Sequence, residues 1–191
     1  MPLEIYFEQT PNPESLKFVT SQLLLPNILI DRKRGENTDE FPLGEALFEK
    51  FDWISGVFVS NNFVTISKNS NNDWYELMHD VKAYLVMFLE NKLEIVTKSY
   101  FDSQIQEKVN NSTDESTEGR IKELLDKYVK PAVEKDGGFI AFKSFDDGIV
   151  TLSMQGSCSG CPSSQITLKS GIEGLLKRMV PEVMEVVAEA G

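Results

Sequence analysis

The chain's two cysteines stand together as Cys158-Ser159-Gly160-Cys161, in a Gly/Ser stretch that runs straight into an apolar-periodic segment. Two thiolates supply half of a four-coordinate metal or iron-sulfur site. The pair therefore reads either as a redox dithiol or as half of a site completed by a second subunit. Between Gly148 and Leu168 there is no Asp, Glu, Lys, Arg or His, although 26% of the chain is charged, so the neighbourhood offers no general acid or base. It does offer Gly156 and Gly160, which let backbone N–H groups approach sulfur, and Pro162, preorganised for the first position of a helix. Such N–H groups and a helix N-terminus stabilise anionic sulfur in a metal site and in a redox site alike, so local chemistry leaves both open.

Three readings compete for Cys158 and Cys161. Two subunits can each donate both thiols to one 4Fe-4S cluster at a symmetric interface. The pair can instead cycle between dithiol and disulfide, as in a thioredoxin-like thiol-disulfide oxidoreductase. That motif, however, usually follows an early βαβ strand, whereas this one lies late in the chain and carries proline after its second cysteine. The third reading is a four-cysteine structural zinc site shared by the same kind of dimer. His79, the only histidine, has no cysteine near it in sequence and reads as a solvated helix residue. Asp146-Asp147 precede Gly148 and read as turn residues, so no catalytic role is assigned to any residue.

The elements that position the pair can be read from periodicity. Ile121, Leu124, Leu125, Tyr128 and Val129 form an apolar helical stripe that runs toward Pro131 and stops by Asp136-Gly137-Gly138. Residues 139–142 and 149–152 read as strands joined through Asp146-Asp147-Gly148, and the cysteine loop leaves the second of them. Leu168, Ile172, Leu175, Leu176 and Met179 mark the buried face of a closing helix that Pro181 ends, giving an α-β-β-α module with the cysteines at an exposed loop tip.

Upstream, residues 3–7 and 15–20 read as strands around Pro11-Asn12-Pro13, and 57–59 and 63–66 as a hairpin around Ser60-Asn61-Asn62. A short helix is expected from Leu43 to Phe51. A longer one carries Trp74, Leu77, Met78, Val81, Leu85 and Phe88 on one core-facing stripe. The fold class is α+β, in two small domains: 1–102, with an antiparallel sheet covered by helices, and 119–191, with the Cys-x-x-Cys loop. Residues 103–118 are polar and acidic, too poor in apolar side chains to repay ordering, and read as a flexible linker.

At 191 residues and 41% hydrophobic content the chain can bury real cores. Its net charge of −11 argues against nucleic acid as a ligand, because phosphate binding needs clustered Lys and Arg. No apolar run approaches the roughly 20 residues that cross a bilayer, and the first residues lack a signal-peptide pattern, so a cytoplasmic protein with no membrane partner is expected.

The stretch from Leu124 to Val187 resembles the C-terminal domain of the NifU-like family. The resemblance rests on Val129-Lys130-Pro131-Ala132-Val133, on Asp136-Gly137-Gly138, and above all on Gly156-Ser157-Cys158-Ser159-Gly160-Cys161-Pro162-Ser163-Ser164 with Thr167 to Glu173. The first half is similar to the N-terminal domain of the Nfu subgroup, through Thr10-Pro11-Asn12-Pro13-Glu14-Ser15-Leu16-Lys17-Phe18, Pro42-Leu43, Ala46-Leu47-Phe48 and Gly56-Val57-Phe58. The resemblance implies a non-enzymatic scaffold or carrier that is a homodimer when loaded. It would hold a labile 4Fe-4S cluster, with 2Fe-2S as the other nuclearity, on Cys158 and Cys161 of both subunits. Its implied partners are an upstream assembly scaffold and apo iron-sulfur clients. Phe139 departs from the family pattern, which commonly has a polar residue after the paired glycines.

Overall fold

A computed structural model describes residues 3–69, 71, 73–109, 116–159 and 162–190. The chain divides into two compact units, Met1–Asn110 and Asn111–Gly191. The architecture is α+β in both, and no helix among the described residues is long and apolar enough to cross a membrane.

The first unit is built on an antiparallel sheet of β1 (Ile5–Gln9), β2 (Ser15–Thr20), β3 (Leu25–Lys33), β4 (Ile54–Asn61) and β5 (Phe63–Lys68), in the order β1-β2-β5-β4-β3. Asn61 takes a positive φ of 46° where Ser60 pairs with Phe63, as the Asn-Asn hairpin signal requires. Helices α1 (Pro42–Lys50) and α2 (Trp74–Glu90) lay Leu43, Leu47, Met78, Val81, Leu85 and Phe88 on the core that Leu16, Phe18, Val57, Val59, Val64 and Ile66 form from the sheet. The Asp73 side chain caps α2 by accepting from Tyr75 N–H at 3.0 Å.

A third helix, α3 (Lys98–Val109), is tied to the sheet by Tyr100, whose hydroxyl donates to Leu29 O at 2.8 Å. It carries 103–109, the first part of the stretch read as a flexible linker. Gln, Glu and Lys are good helix formers, and a helix already anchored at Tyr100 and Phe101 extends through them. The remainder of that stretch to Glu115 lies outside the described residues, and Ser116 caps the next helix by accepting from Gly119 N–H at 3.3 Å.

In the second unit α4 (Thr117–Leu124) continues through one π turn, Leu125–Val129, into α5 (Lys130–Lys135). The Lys130 N–H bonds Leu125 O, five residues back, immediately before Pro131. A proline ring would clash with the carbonyl four residues behind it in a regular helix, and the widened turn relieves that crowding. Ile121, Leu125, Val129 and Val133 are buried, whereas Tyr128, read as part of the stripe, is 50% exposed.

A hairpin comes next, β6 (Gly138–Asp146) and β7 (Ile149–Gly156), turning on Asp147 at φ 46° and Gly148 at φ 81°. One 3-10 turn, Ser157–Ser159, precedes α6 (Pro162–Met179), and β8 (Glu185–Ala190) then pairs parallel to β7. The α-β-β-α reading is thus corrected to α-β-β-α-β. Met179 is also corrected: it is 44% exposed, and Val180 and Val183, just past the helix end, close the core with Ile172 and Leu176.

Candidate functional site

Cys158 sits in the 3-10 turn off the end of β7, and it is buried, with 6% of its surface exposed. This corrects the expectation of an exposed thiol at a loop tip. The cause is Gly138. A Cβ at that position would lie 2.5 Å from Cys158 Sγ and 2.9 Å from Gln155 O, so the thiol occupies space that only glycine leaves open.

The turn is fastened to the end of α5. Ser157 N–H donates to Gly137 O at 3.2 Å, and Ser157 Oγ donates to Asp136 O at 2.6 Å. Ser157 Oγ also lies 3.9 Å from Cys158 Sγ. Gly137 and Gly156 stand at φ 79° and 64°, so both reversals that bring the strands to the turn use glycine. Gln155 Oε1, on β7, is buried without a hydrogen-bond partner among the described residues.

Asp136-Gly137-Gly138 read in sequence only as a helix stop, yet the stop needs one glycine at positive φ. The second was the available signal, since a glycine the turn does not require points to a close approach. Cys161, predicted beside Cys158, lies outside the described residues. Helix α6 begins at Pro162, immediately after it.

The other sequence candidates are placed elsewhere. His79 is exposed on α2 in the first unit, edge-on to Phe7 with 6.2 Å between ring centroids. Asp146 and Asp147 belong to the β6–β7 turn. Phe139 packs beneath Lys130, whose Nζ lies 5.2 Å from the ring centroid, so the aromatic side chain finds a cation–π partner on α5.

Residues 121–187 match the NifU-like domain, and residues 5–92 match the N-terminal domain described as scaffold protein Nfu/NifU N terminal. Over 180 residues, 94% of this chain and 69% of the relative, the sequence is 37% identical to the human protein named NFU1 iron-sulfur cluster scaffold homolog, mitochondrial. The chain belongs to the Nfu/NifU family.

Relatives of the same name in Drosophila sechellia and Drosophila willistoni are 38% and 39% identical over 95% of the chain. The chain spans 63% and 62% of those two proteins. A solution structure of a NifU-like protein from Saccharomyces cerevisiae aligns with a TM-score of 0.45 at 20% identity, covering 50% of this chain and 86% of that one. In this Nfu/NifU chain the buried Cys158 turn falls inside the segment matched to the NifU-like domain.

Proposed function

We propose that the protein carries an iron-sulfur cluster between two copies of itself, each contributing Cys158 and Cys161, and delivers it to apo client proteins. The observation that carries this reading is the thiol pair itself. One chain has only two cysteines, set in a stretch with no charged or histidine side chain, so a four-thiolate site needs a second chain. The relatives' names, which describe iron-sulfur cluster scaffolds, support the same cargo. A 4Fe-4S cluster fits four thiolates, and a 2Fe-2S cluster fits the same ligand set.

On this reading the burial of Cys158 defines a loading step. Bridging to a second chain requires its sulfur to leave the space beside Gly138, and the bonds from Ser157 to Gly137 and Asp136 oppose that movement. A shared cluster is then released when a client's thiolates replace those of one subunit. The reaction is ligand exchange, and no catalytic residue is assigned.

The first unit would dock clients or an upstream scaffold, with residues 103–118 as the connection. The cytoplasmic placement read from sequence and the mitochondrial one carried in the relatives' names are distinguished by fractionating cells that produce the tagged protein.

The test is anaerobic reconstitution with iron and sulfide, then Mössbauer and absorption spectra with iron, sulfide and mass determined per oligomer. About two irons per chain in a dimer is the expected result for one shared 4Fe-4S cluster. A colourless dimer holding about half a zinc per chain would replace the cluster with a structural metal site. An iron-free monomer with a reducible Cys158–Cys161 disulfide would make the protein a thiol-disulfide oxidoreductase instead.

A further inference from the structure

The first unit has an unpaired sheet edge with a groove beside it. Strand β1 pairs with β2 alone among the described residues. The direction of its hydrogen bonds is fixed by its neighbours. Ser21 N–H donates to Glu4 O at 2.9 Å, toward β1, while Thr20 N–H donates to Asn62 O at 2.7 Å, toward β5. Alternation then turns the backbone groups of Tyr6 and Glu8 inward to their partners Val19 and Lys17, and those of Ile5, Phe7 and Gln9 outward.

Phe7 and Gln9 also line a groove of about 630 Å³ between the β1–β2 turn and the start of α2. Pro11, Pro13, Trp74 and Met78 give it apolar walls, and Trp74 is held in place by its indole N–H, which donates to Pro13 O at 3.1 Å. Outward backbone groups and groove-lining side chains therefore belong to the same two residues. This pairing is what a strand-adding ligand uses: main-chain bonds for affinity, alternate side chains for specificity.

The charge around the groove is one-sided. Asp73 and His79 line it, no lysine or arginine does among the described residues, and the exposed α2 residues Glu76 and Asp80 flank it. The two lysines nearby are already engaged, Lys17 with Glu8 at 3.1 Å and Lys68 with Glu14 at 3.2 Å.

We propose that the β1 edge and this groove receive an extended segment of a partner protein in which apolar residues alternate with lysine or arginine. Apolar side chains would enter between Phe7 and Trp74, and the alternate, basic ones would turn to the opposite face of the sheet, where β1 is bordered by Glu4 and Glu8. The proposal rests on the delivery reading only for calling that partner a client.

The probe is a peptide of alternating lysine with valine or phenylalanine, titrated into the full-length ¹⁵N-labelled chain at about 0.15 M salt, where long-range attraction is screened. Expected are shifts confined to the amides of Ile5, Phe7 and Gln9 and the Trp74 indole, and no binding when glutamate replaces lysine in the peptide. Gln9→Pro removes an outward N–H and blocks strand addition while sparing every bond to β2, so binding should weaken about tenfold with unchanged circular dichroism.

Shifts elsewhere, or equal binding by Gln9→Pro, would overturn the proposal. So would a concentration-dependent dimer lost in Gln9→Pro, which would assign the edge to a second copy. Failure of cluster reconstitution with intact peptide binding would sink the delivery reading and leave this surface standing.

Discussion

Two turns in this molecule are held by different means. In the first unit, the β1–β2 turn is braced from within as well as by bonds from Trp74 and Lys68. Asn12, buried, accepts from Glu14 N–H at 3.0 Å through Oδ1, and Thr10 Oγ1 donates to Asn12 O at 2.9 Å and Ser15 O at 3.1 Å. In the second unit, the turn that carries Cys158 is held from outside, by Asp136, Gly137 and Gly138 some twenty residues earlier. A turn braced from both within and without is a fixture. One held through a few remote contacts can let go while the core beneath it stays folded, which suits a ligand that must come out to bind.

Changing the sulfurs themselves should have the largest effect on that contrast. Cys158→Ser or Cys161→Ser is expected to reduce reconstituted iron to background while the second unit keeps its circular dichroism. Retention of a full cluster in either variant would remove that cysteine from the ligand set.

Next comes the space beside the thiol. Gly138→Ala forces a carbon against Sγ, and overpacking of this kind costs about 1–3 kcal/mol in urea unfolding. On a Cys161→Ser background, where only Cys158 can report, its reaction with a disulfide reagent should accelerate severalfold. An unchanged rate in a folded variant would show that Gly138 does not restrain the thiol.

The hydroxyl and amide that fasten the two turns make a matched pair. Ser157→Ala and Asn12→Ala should each cost about 1 kcal/mol for a lost hydrogen bond. Only the first should speed Cys158 modification. If Asn12→Ala does so equally, the two turns are not independently held.

The smallest effect tests a brace of the second unit that lies away from the thiol. The Glu173 carboxyl is held below its ordinary value of 4.5, chiefly because Lys177 bonds its side chain and then because Val186 N–H of β8 donates to it. A depressed folded pKa adds stability above the unfolded value, and that stability is lost as pH falls through the folded one. The Tm gap between the parent and Glu173→Gln should be full above pH 4.5 and close as acid is added.

Much of this arrangement was legible in local signals. Asn61 and the Asp147-Gly148 pair announced both hairpins, because few residues accept positive φ, and the Met78-Val81-Leu85-Phe88 stripe announced α2. Strand β3 was not legible. Pro26-Asn27 looks like a turn, and the bulge between Leu25 and Leu29 accommodates it at a sheet edge.

Strand β8 escaped for another reason. Its glutamates and alanines have low strand propensity, and its pairing with β7 is a parallel contact across the whole of α6. At the site, the thiols were visible in sequence but the burial of Cys158 was not, since the space it fills lies beside a glycine twenty residues away.

The π turn at Leu125–Val129 sets a phase. Each residue added to or removed from a helix rotates the downstream residues by roughly 100°. Ile121 and Val133 would point roughly 120° apart in a regular helix of this length, yet both lie in one core, so the wide turn takes up one residue and brings Asp136, Gly137 and Gly138 round to Ser157 and Cys158. A one-residue deletion that regularised the helix would therefore keep its far end in phase, whereas straightening the turn at unchanged length would carry the glycines away from the thiol.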